Sequence, residues 1–504
     1  MEFSKRKYQL LVGITLLAKI YFFVAFGMSY TDGDQTILWQ VTKDYAEGIF
    51  YGPCFYGQAY NPNLEPLIAL PFYLLGTPLP IALPLATALL STIPFFVFSY
   101  VFKKKWGYWE GSIPLLVLLF LSTDYDILTA IPRGFVTGVF FGSIAYAIWM
   151  HKQSSKNALI AGSLFGLGLY FNLNTILIAP LFLIDHPKQW KQIVSFSSLF
   201  LLGSILGLVL IIWNHTFYQN HPEWVIHQAP SLKFGLSFFV ACMKKIYFYF
   251  DQVTPLIWRG GIIILPLLVR LLLFFRKRNA SVSWAIFLVL LGTSLTFFME
   301  KTADCGYSPF FSGGRFFLAY PFIIAVLLAH LSQYQTRLFF QKIQKWILIP
   351  AAFVSIIKIV FLSSSIAFAS DEMQSPCVVA TPVSSLQTKC EEIKTFSENA
   401  DIYISLTGDT PEHAVTYGCE CLISDFGKTL NCEYERRRWR SSMNKIVFHR
   451  ILIHGDDVRK LNKLDYHYLK IVKVNIQKGW LLVETEDNLE TFMSKSHLNE
   501  SSHQ

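Results

Sequence analysis

The chain has 504 residues, is 53% hydrophobic and 16% aromatic with only 15% charged, and carries a formal net charge of +9. That composition excludes an ordinary water-soluble domain and points to a polytopic membrane protein. The basic residues sit between apolar runs rather than in one patch, which argues against nucleic acid as a partner.

Residues 8–28 form the first apolar run, with Lys5, Arg6 and Lys7 before it. Its length, and the lack of a small-residue cleavage site in "FGMSYTDGD", make it a retained span rather than a signal peptide. A crossing takes about 20 residues whose backbone polar groups must pair internally, so the expected architecture is a helical bundle. Clear runs start near Leu79, Ile131, Ile193, Gly260, Ser281, Arg315 and Trp346, and weaker ones bring the expectation to about eleven transmembrane helices. Residues 108–123 are short for a span. Residues 158–184 are broken by Asn172 and Asn174, which predicts two short helices or a re-entrant hairpin.

Lysine and arginine in the short connections set the orientation. Lys103, Lys104 and Lys105, then Lys152 with Lys156, Lys188 with Lys191, and Arg276, Lys277 and Arg278 mark cytoplasmic ends. The first outer loop, residues 29–78, instead carries Asp32, Asp34, Asp44, Glu47 and Glu65 against Lys43 alone. On this topology no cysteine falls in a cytoplasmic loop. Cys54, Cys242 and Cys305 lie in or beside outer loops, and Cys377, Cys390, Cys419, Cys421 and Cys432 lie in the tail, where one or two disulfides are expected with connectivity open. "CEC" fits no standard zinc spacing.

The division expected is a transmembrane domain over residues 1–369 and a soluble extracytoplasmic domain over 370–504. In the tail, "DIYISL" and "GWLLVET" are of strand length among charged stretches, which predicts a small α/β domain with a disordered end. Arg436, Arg437, Arg438 and Arg440 suit either a solvated basic face or a grip on an acidic glycan.

The first outer loop holds the candidate chemistry. "DGDQTILWQVTKDYAEG" is patterned as an amphipathic helix on the membrane surface, which an aspartate could cap. The continuation "GPCFYGQAYNPNLEPLIALPFYLLG" adds Tyr56, Gln58, Tyr60 and Glu65 and a short apolar segment too brief to span. Long loops poor in disorder-promoting residues tend to be functional. A carboxylate at the water–lipid boundary suits a general base that takes a proton from an attacking hydroxyl or amine, with Asp34 as the candidate. A leaving phosphate needs cations, and Arg133, Arg259, Lys301 and Arg315 sit at the outer ends of later spans. Each also fits a plainer part as an interfacial anchor. Arg315 stands out, because Gly313 and Gly314 permit close approach and a guanidinium suits phosphate.

Four stretches together resemble the GT-C superfamily of polytopic glycosyltransferases, most closely its family 39-like bacterial branch, related to protein mannosyltransferases and lipid A aminoarabinose transferases. They are "DGDQ", "FYGQAYNPNLEPLIALPFYLLG", "GSLFGLGLYFNLNTILIAPLFLI" and "SGGRFFLAYP", within residues 1–364. The resemblance implies transfer of a sugar from a polyprenyl-phosphate donor outside the cytoplasm, with inversion and with Asp34 as catalytic base. The acceptor it leaves open is a glycan, a lipid or a protein. Gln35 stands where such enzymes often have a second acid, a part Asp32 is expected to take, and Phe316 stands where a tyrosine is common. No cofactor is implied firmly; a divalent metal is compatible with acids near a phosphate.

His215, His221 and His227 are spaced six apart, which is no helical ligand spacing, so a metal there is not expected. Asn214-His215-Thr216 and Asn499-Glu500-Ser501 match the glycosylation pattern, which carries meaning only in a eukaryotic secretory compartment. "SLKFGLSFFVACMKKIYFYF" is amphipathic and suits the outer leaflet or buried packing. There is no Walker-type loop, dinucleotide fingerprint or His-Glu zinc motif, so nucleotide-sugar or ATP use is not expected. A transporter or flippase of lipid-linked sugars is the competing class, and it would place ionisable groups along a mid-membrane path. Lys19 and Lys358, inside apolar runs, are the residues that fit it. With no terminal retention signal, the expected location is a bacterial plasma (inner) membrane.

Overall fold

The computed structural model describes residues 3–186, 189–227, 233–255, 263–303, 313–334, 343–370, 379–397, 400–406, 410–431, 443–455 and 469–496. Among the described residues, five helical stretches are long and apolar enough to cross a membrane: Lys5–Gly27, Leu79–Trp106, Trp190–Asn220, Gly314–Ser332 and Leu348–Ala367. Five shorter apolar helices join them, Leu64–Leu74, Tyr108–Phe120, Leu173–Leu183, Ile264–Phe275 and Ala280–Thr296. The polytopic helical architecture expected from hydropathy is therefore present. Gly314–Ser332 is the central element, 72% buried, whereas Trp190–Asn220 is 11% buried although it is the more apolar of the two, with mean hydropathy 2.3 against 1.7. A helix that is apolar all round and exposed is one built to face lipid.

Breaks in the apolar runs have local causes. Asn172 ends helix Ser155–Phe171, and its side chain accepts from the Asn174 amide at 3.1 Å to start the next turn, Leu173–Leu183. Residues 158–184 are thus two helices. The longer partner, Trp190–Asn220, packs on Ser155–Phe171 through glycines on both sides. A β-carbon on Gly162 would stand 2.0 Å from the Phe200 carbonyl oxygen, and one on Gly207 2.0 Å from that of Gly166. Small residues four apart let two backbones approach this closely in lipid.

Two charges inside apolar runs are accounted for. Lys19, in Lys5–Phe22, and Lys358, in Leu348–Ala369, both pair with Asp126 of the short helix Thr123–Ala130, and all three are buried. The basic ends gather at the other end of the first helix, where Lys7 donates to the Gln344 carbonyl at 3.3 Å and Lys103 lies over the Tyr8 ring.

The tail folds as expected for an α/β unit. Its sheet runs in the order Lys428–Asn431, Ile402–Ser405, Arg450–His454, Trp480–Glu484, Lys470–Asn475, the first three strands parallel and the rest antiparallel. Side chains alternate with period two. Ile402, Ile404, Ile451, Ile453, Leu481 and Val483 face one core with Phe492 and Met493. Tyr403, Leu452, Trp480 and Leu482 face another, shared with Ile37, Leu38, Trp39, Val41, Phe55 and Leu83 of the first loop and second span. Among the described residues a disulfide, Cys390–Cys419, joins helices Val383–Ser397 and Thr410–Leu422. Cys305, Cys377 and Cys432, the arginines at 436, 437, 438 and 440, and the chain's last residues lie outside the described residues.

The shared core corrects one expectation. Helix Gly33–Ala46 does not lie on the membrane surface with a wetted face, because Thr410–Leu422 covers it and every residue from Gln35 to Thr42 is buried. For "SLKFGLSFFVACMKKIYFYF", where outer leaflet and buried packing were both open, the described residues form two short helices, Leu236–Lys244 and Ile246–Asp251, whose Cys242, Tyr249 and Phe250 are in the main core.

Candidate active site

The first span ends in a π-turn, Phe23–Gly27, and a two-residue strand, Tyr30–Thr31, leads into Asp32. Asp32 is the N-cap of helix Gly33–Ala46: its Oδ1 accepts from the amides of Asp34 at 2.9 Å and Gln35 at 3.1 Å. Its Oδ2 accepts from the Gln35 side chain at 2.7 Å. The departure from an acidic pair is thereby explained locally, since Gln35 serves the cap. Asp34 sits in the first turn, where unsatisfied amides favour negative charge.

Arg133 joins the two acids. Its Nη2 lies 2.8 Å from Asp32 Oδ1 and its Nη1 3.1 Å from Asp34 Oδ2. The Arg133 and Asp32 side chains are 3% and 1% exposed, whereas that of Asp34 is 35% exposed. Only Asp34 presents its carboxylate outward. Burial works against the Arg133 charge, but Asp32 and Asp34 outweigh it and hold the guanidinium above its ordinary range.

The turn carrying Arg133 is held from three sides. Asn61, itself in the left-handed region at φ 66°, donates to the Arg133 carbonyl at 3.3 Å. Gly134 has φ +71°, and a β-carbon there would stand 2.2 Å from Asn61 Oδ1, so glycine is required. The Gly134 amide donates to Glu65 Oε2 at 2.7 Å, and Thr87 donates to Glu65 Oε1 at 3.1 Å. Burial pushes the Glu65 carboxyl up to about 7, against the opposing pull of those hydrogen bonds. On the third side Asn172 Nδ2 donates to the Gly134 carbonyl at 3.4 Å. Asn174 Nδ2 lies 3.3 Å from both the Phe135 and the Arg315 carbonyls.

Asn174 therefore connects the turn of Arg133 to the late arginine. Arg315, on the one-turn helix Gly313–Phe317, places its guanidinium over the rings of Phe135 and Phe316, 5.5 and 5.1 Å from their centroids. A β-carbon on Gly314 would stand 2.0 Å from Gln252 Oε1, so the glycine allows close passage. Tyr60 lies in the fields of both Arg315 and Asp34. Burial raises its phenol above the usual tyrosine range, Arg315 draws it down and Asp34 pushes it up. Lys301 places its ammonium 5.5 Å from the centre of the Tyr60 ring.

Of the residues singled out in the sequence, Asp34, Arg133, Tyr60, Lys301 and Arg315 are thus brought to one place, with Asp32 behind them. Glu65 lies beneath the Arg133–Gly134 turn, fully enclosed. Tyr56 is buried and donates to Asp44 Oδ2 at 3.0 Å, and Gln58 pairs in a short parallel ladder with His227. Arg259 lies outside the described residues. Asn61, Gly134 and Thr87 were not singled out. "YNPN" and "PRGF" carry turn residues, but nothing in either stretch says that one braces the other. His215 lies 3.0 Å from the Gln219 side chain and His221 stacks on Trp224 with ring centroids 4.2 Å apart. Among the described residues no group of three or more His, Cys, Asp or Glu is arranged to hold a metal ion.

The chain superposes on ArnT from Cupriavidus metallidurans in the apo state with a TM-score of 0.57 at 12% identity, covering 96% of this chain and 98% of that one. It has the ArnT fold. ArnT from the same organism bound to undecaprenyl phosphate gives a TM-score of 0.52 at 11% identity, over 94% and 97% of the two chains. No protein-family model and no curated protein sequence matches the chain. The ArnT fold here includes the C-terminal sheet region as well as the bundle, since the superposition spans nearly all of both chains. This is the polytopic GT-C-like architecture that the motif order led us to expect.

Proposed function

We propose that the protein transfers a sugar from a polyprenyl-phosphate donor to an acceptor on the extracytoplasmic face of a bacterial plasma membrane, with inversion at the anomeric carbon. The observation that carries this reading is the one-third exposed Asp34 carboxylate, held 3.1 Å from Arg133 Nη1 beside Tyr60, Lys301 and Arg315, in an ArnT fold. Asp34 takes the proton of the acceptor hydroxyl or amine as that atom bonds to the anomeric carbon. The bond from that carbon to the phosphate oxygen breaks, and polyprenyl phosphate leaves with the electron pair. Arg315 and Lys301 receive the phosphate charge, while Arg133, committed to the two aspartates, orients the base. Asp32 takes no proton in this scheme; it caps the helix and anchors Arg133.

A related ArnT structure contains undecaprenyl phosphate, which supports a polyprenyl-linked donor. The pairing of Lys19 and Lys358 with Asp126 supports a structural part for them. Glycan, lipid and protein acceptors are all compatible with this chemistry, as is residence of the tail outside the cytoplasm, which its disulfide supports.

The test is transfer of labelled sugar from synthetic polyprenyl phosphate monosaccharides by purified protein with an acceptor extract. Asp34→Asn keeps the size of the side chain and removes the base, so transfer is expected to fall by about a hundredfold or more. Full activity of Asp34→Asn rejects Asp34 as the base. Flux of lipid-linked sugar across vesicles without transfer favours the transporter.

A further inference from the structure

The strand before Asp32 and the helix after it are both held by the C-terminal part of the chain. Tyr30 pairs with Pro382 and Thr31 with Thr381, and the Val383 amide donates to the Ser29 carbonyl at 2.9 Å. Beyond the aspartates, helix Gly33–Ala46 lies along Thr410–Leu422. A β-carbon on Gly418 would stand 3.2 Å from Thr36 Cγ2 and 2.9 Å from Leu386 Cδ2, so the two helices meet within two residues of Asp34.

A polar link crosses this contact. Glu420 is buried, and its Oε2 accepts from the Thr429 amide and hydroxyl, both at 3.1 Å, while Lys428 Nζ reaches Oε1 at 3.0 Å. Those bonds tie it to the sheet. From the other side Gln40 Nε2 lies 3.4 Å from Glu420 Oε1 and 2.7 Å from Asp44 Oδ1, and Lys43 Nζ donates to the Glu420 carbonyl at 2.9 Å. The Cys390–Cys419 disulfide closes the same helix one residue away. Buried polar networks with satisfied members rigidify the elements they join.

We infer that the C-terminal sheet region positions the Asp34 carboxylate, and that Glu420 is the positioning residue coupling that region to the helix that bears it. The inference rests on Asp34 acting as proposed above. Arg133 grips the carboxylate from the bundle side and Glu420 steadies its helix from the tail side. Loosening the second hold leaves the phosphate-facing cations in place but lets the Asp34 carboxylate wander from its geometry for proton removal, so turnover suffers and donor affinity does not.

The experiment compares the full-length wild type, Asp34→Asn, Gln40→Leu/Lys43→Met and Lys43→Arg in lipid nanodiscs. The double variant leaves Glu420 bonded to Thr429 and Lys428, so the sheet keeps its own contacts. Hydrogen exchange is read over residues 33–46 and over strand Ile402–Ser405, and transfer is read with undecaprenyl phosphate monosaccharides. In the double variant exchange over 33–46 is expected to quicken by about tenfold with the strand unchanged. Its kcat is expected to fall by roughly tenfold to a hundredfold at nearly constant donor KM, and Lys43→Arg to behave as wild type. Unchanged exchange over 33–46, or faster exchange with undiminished kcat, overturns the inference. A fully active Asp34→Asn beside a slowed double variant rejects the base assignment and supports the coupling of helix to sheet. If the wild type turns over none of these donors, the donor proposal fails, unchanged exchange over 33–46 still overturns the inference, and faster exchange supports the coupling of helix to sheet.

Discussion

Arg133 shows how one side chain organises this site. Its guanidinium touches a capping aspartate and an outward one, and its fork geometry serves both at once. Beneath it, Glu65 binds a proton in the folded protein over a range where the unfolded chain has released it. Its stabilising part is therefore present below about pH 4.5 and is lost as pH rises to about 7, a change on the order of 3 kcal/mol. Glu65→Gln is expected to flatten this segment of the melting-temperature profile between pH 5 and 8; equal slopes in both proteins would show that Glu65 does not titrate there. Asp126 is a second buried acid with a different balance, one carboxylate between two lysines. Removing its charge leaves two buried ammonium groups opposed, so Asp126→Asn is expected to cost roughly 3–5 kcal/mol in thermal unfolding. Lys19→Met/Asp126→Leu/Lys358→Met, which removes all three charges, is expected to recover most of that loss. A variant Asp126→Asn as stable as wild type would refute the pairing. Asp32, Asp34 and Arg133 were all legible as candidates in the sequence, but which aspartate caps and which faces outward was not. Both are flexible acids two residues apart, and the choice depends on where Arg133 arrives from a segment a hundred residues on.

At the scale of elements, hydropathy located the spans because lipid burial is a property of each segment by itself. The helix over 33–46 was legible as a helix and misread as a surface one. An amphipathic pattern reports that a helix has two kinds of face, not what covers them. Helix pairing depends on contact between segments. Gly162, Gly166, Gly203 and Gly207 are visible as spaced glycines, yet only their juxtaposition shows that each pair seats the other's backbone. Gly166→Leu is expected to lower stability by roughly 1–3 kcal/mol or more through forced separation of the two helices, because a β-carbon there lies 2.6 Å from the Ser204 carbonyl oxygen. Gly13→Leu, inside helix Lys5–Phe22 where nothing lies within 4 Å of the added β-carbon, is the matched control and is expected to keep or slightly raise stability. The melting temperatures of both variants in detergent check this, and equal values would place the glycines outside the packing.

For the whole molecule, first-loop residues and sheet residues share a core. The Cys390–Cys419 bridge spans 29 residues, and closing a loop of that size constrains the unfolded tail by roughly 3–4 kcal/mol. Cys390→Ser is expected to speed proteolysis of the tail while leaving the spans protected in nanodiscs. Cleavage at the wild-type rate would show that the shared core alone holds the tail. The sequence by itself determined the membrane class, the apolar spans, the α/β character of the tail and the acids and cations worth testing, because composition and period are local and survive without a fold. Only the tertiary structure decided which lysines meet Asp126, which acid Arg133 leaves exposed, and that Glu420 reaches Gln40 across the chain. Those choices are made by packing between distant segments, where residues of the same type are interchangeable in the sequence and become distinct only through the neighbours and the burial that the fold assigns them.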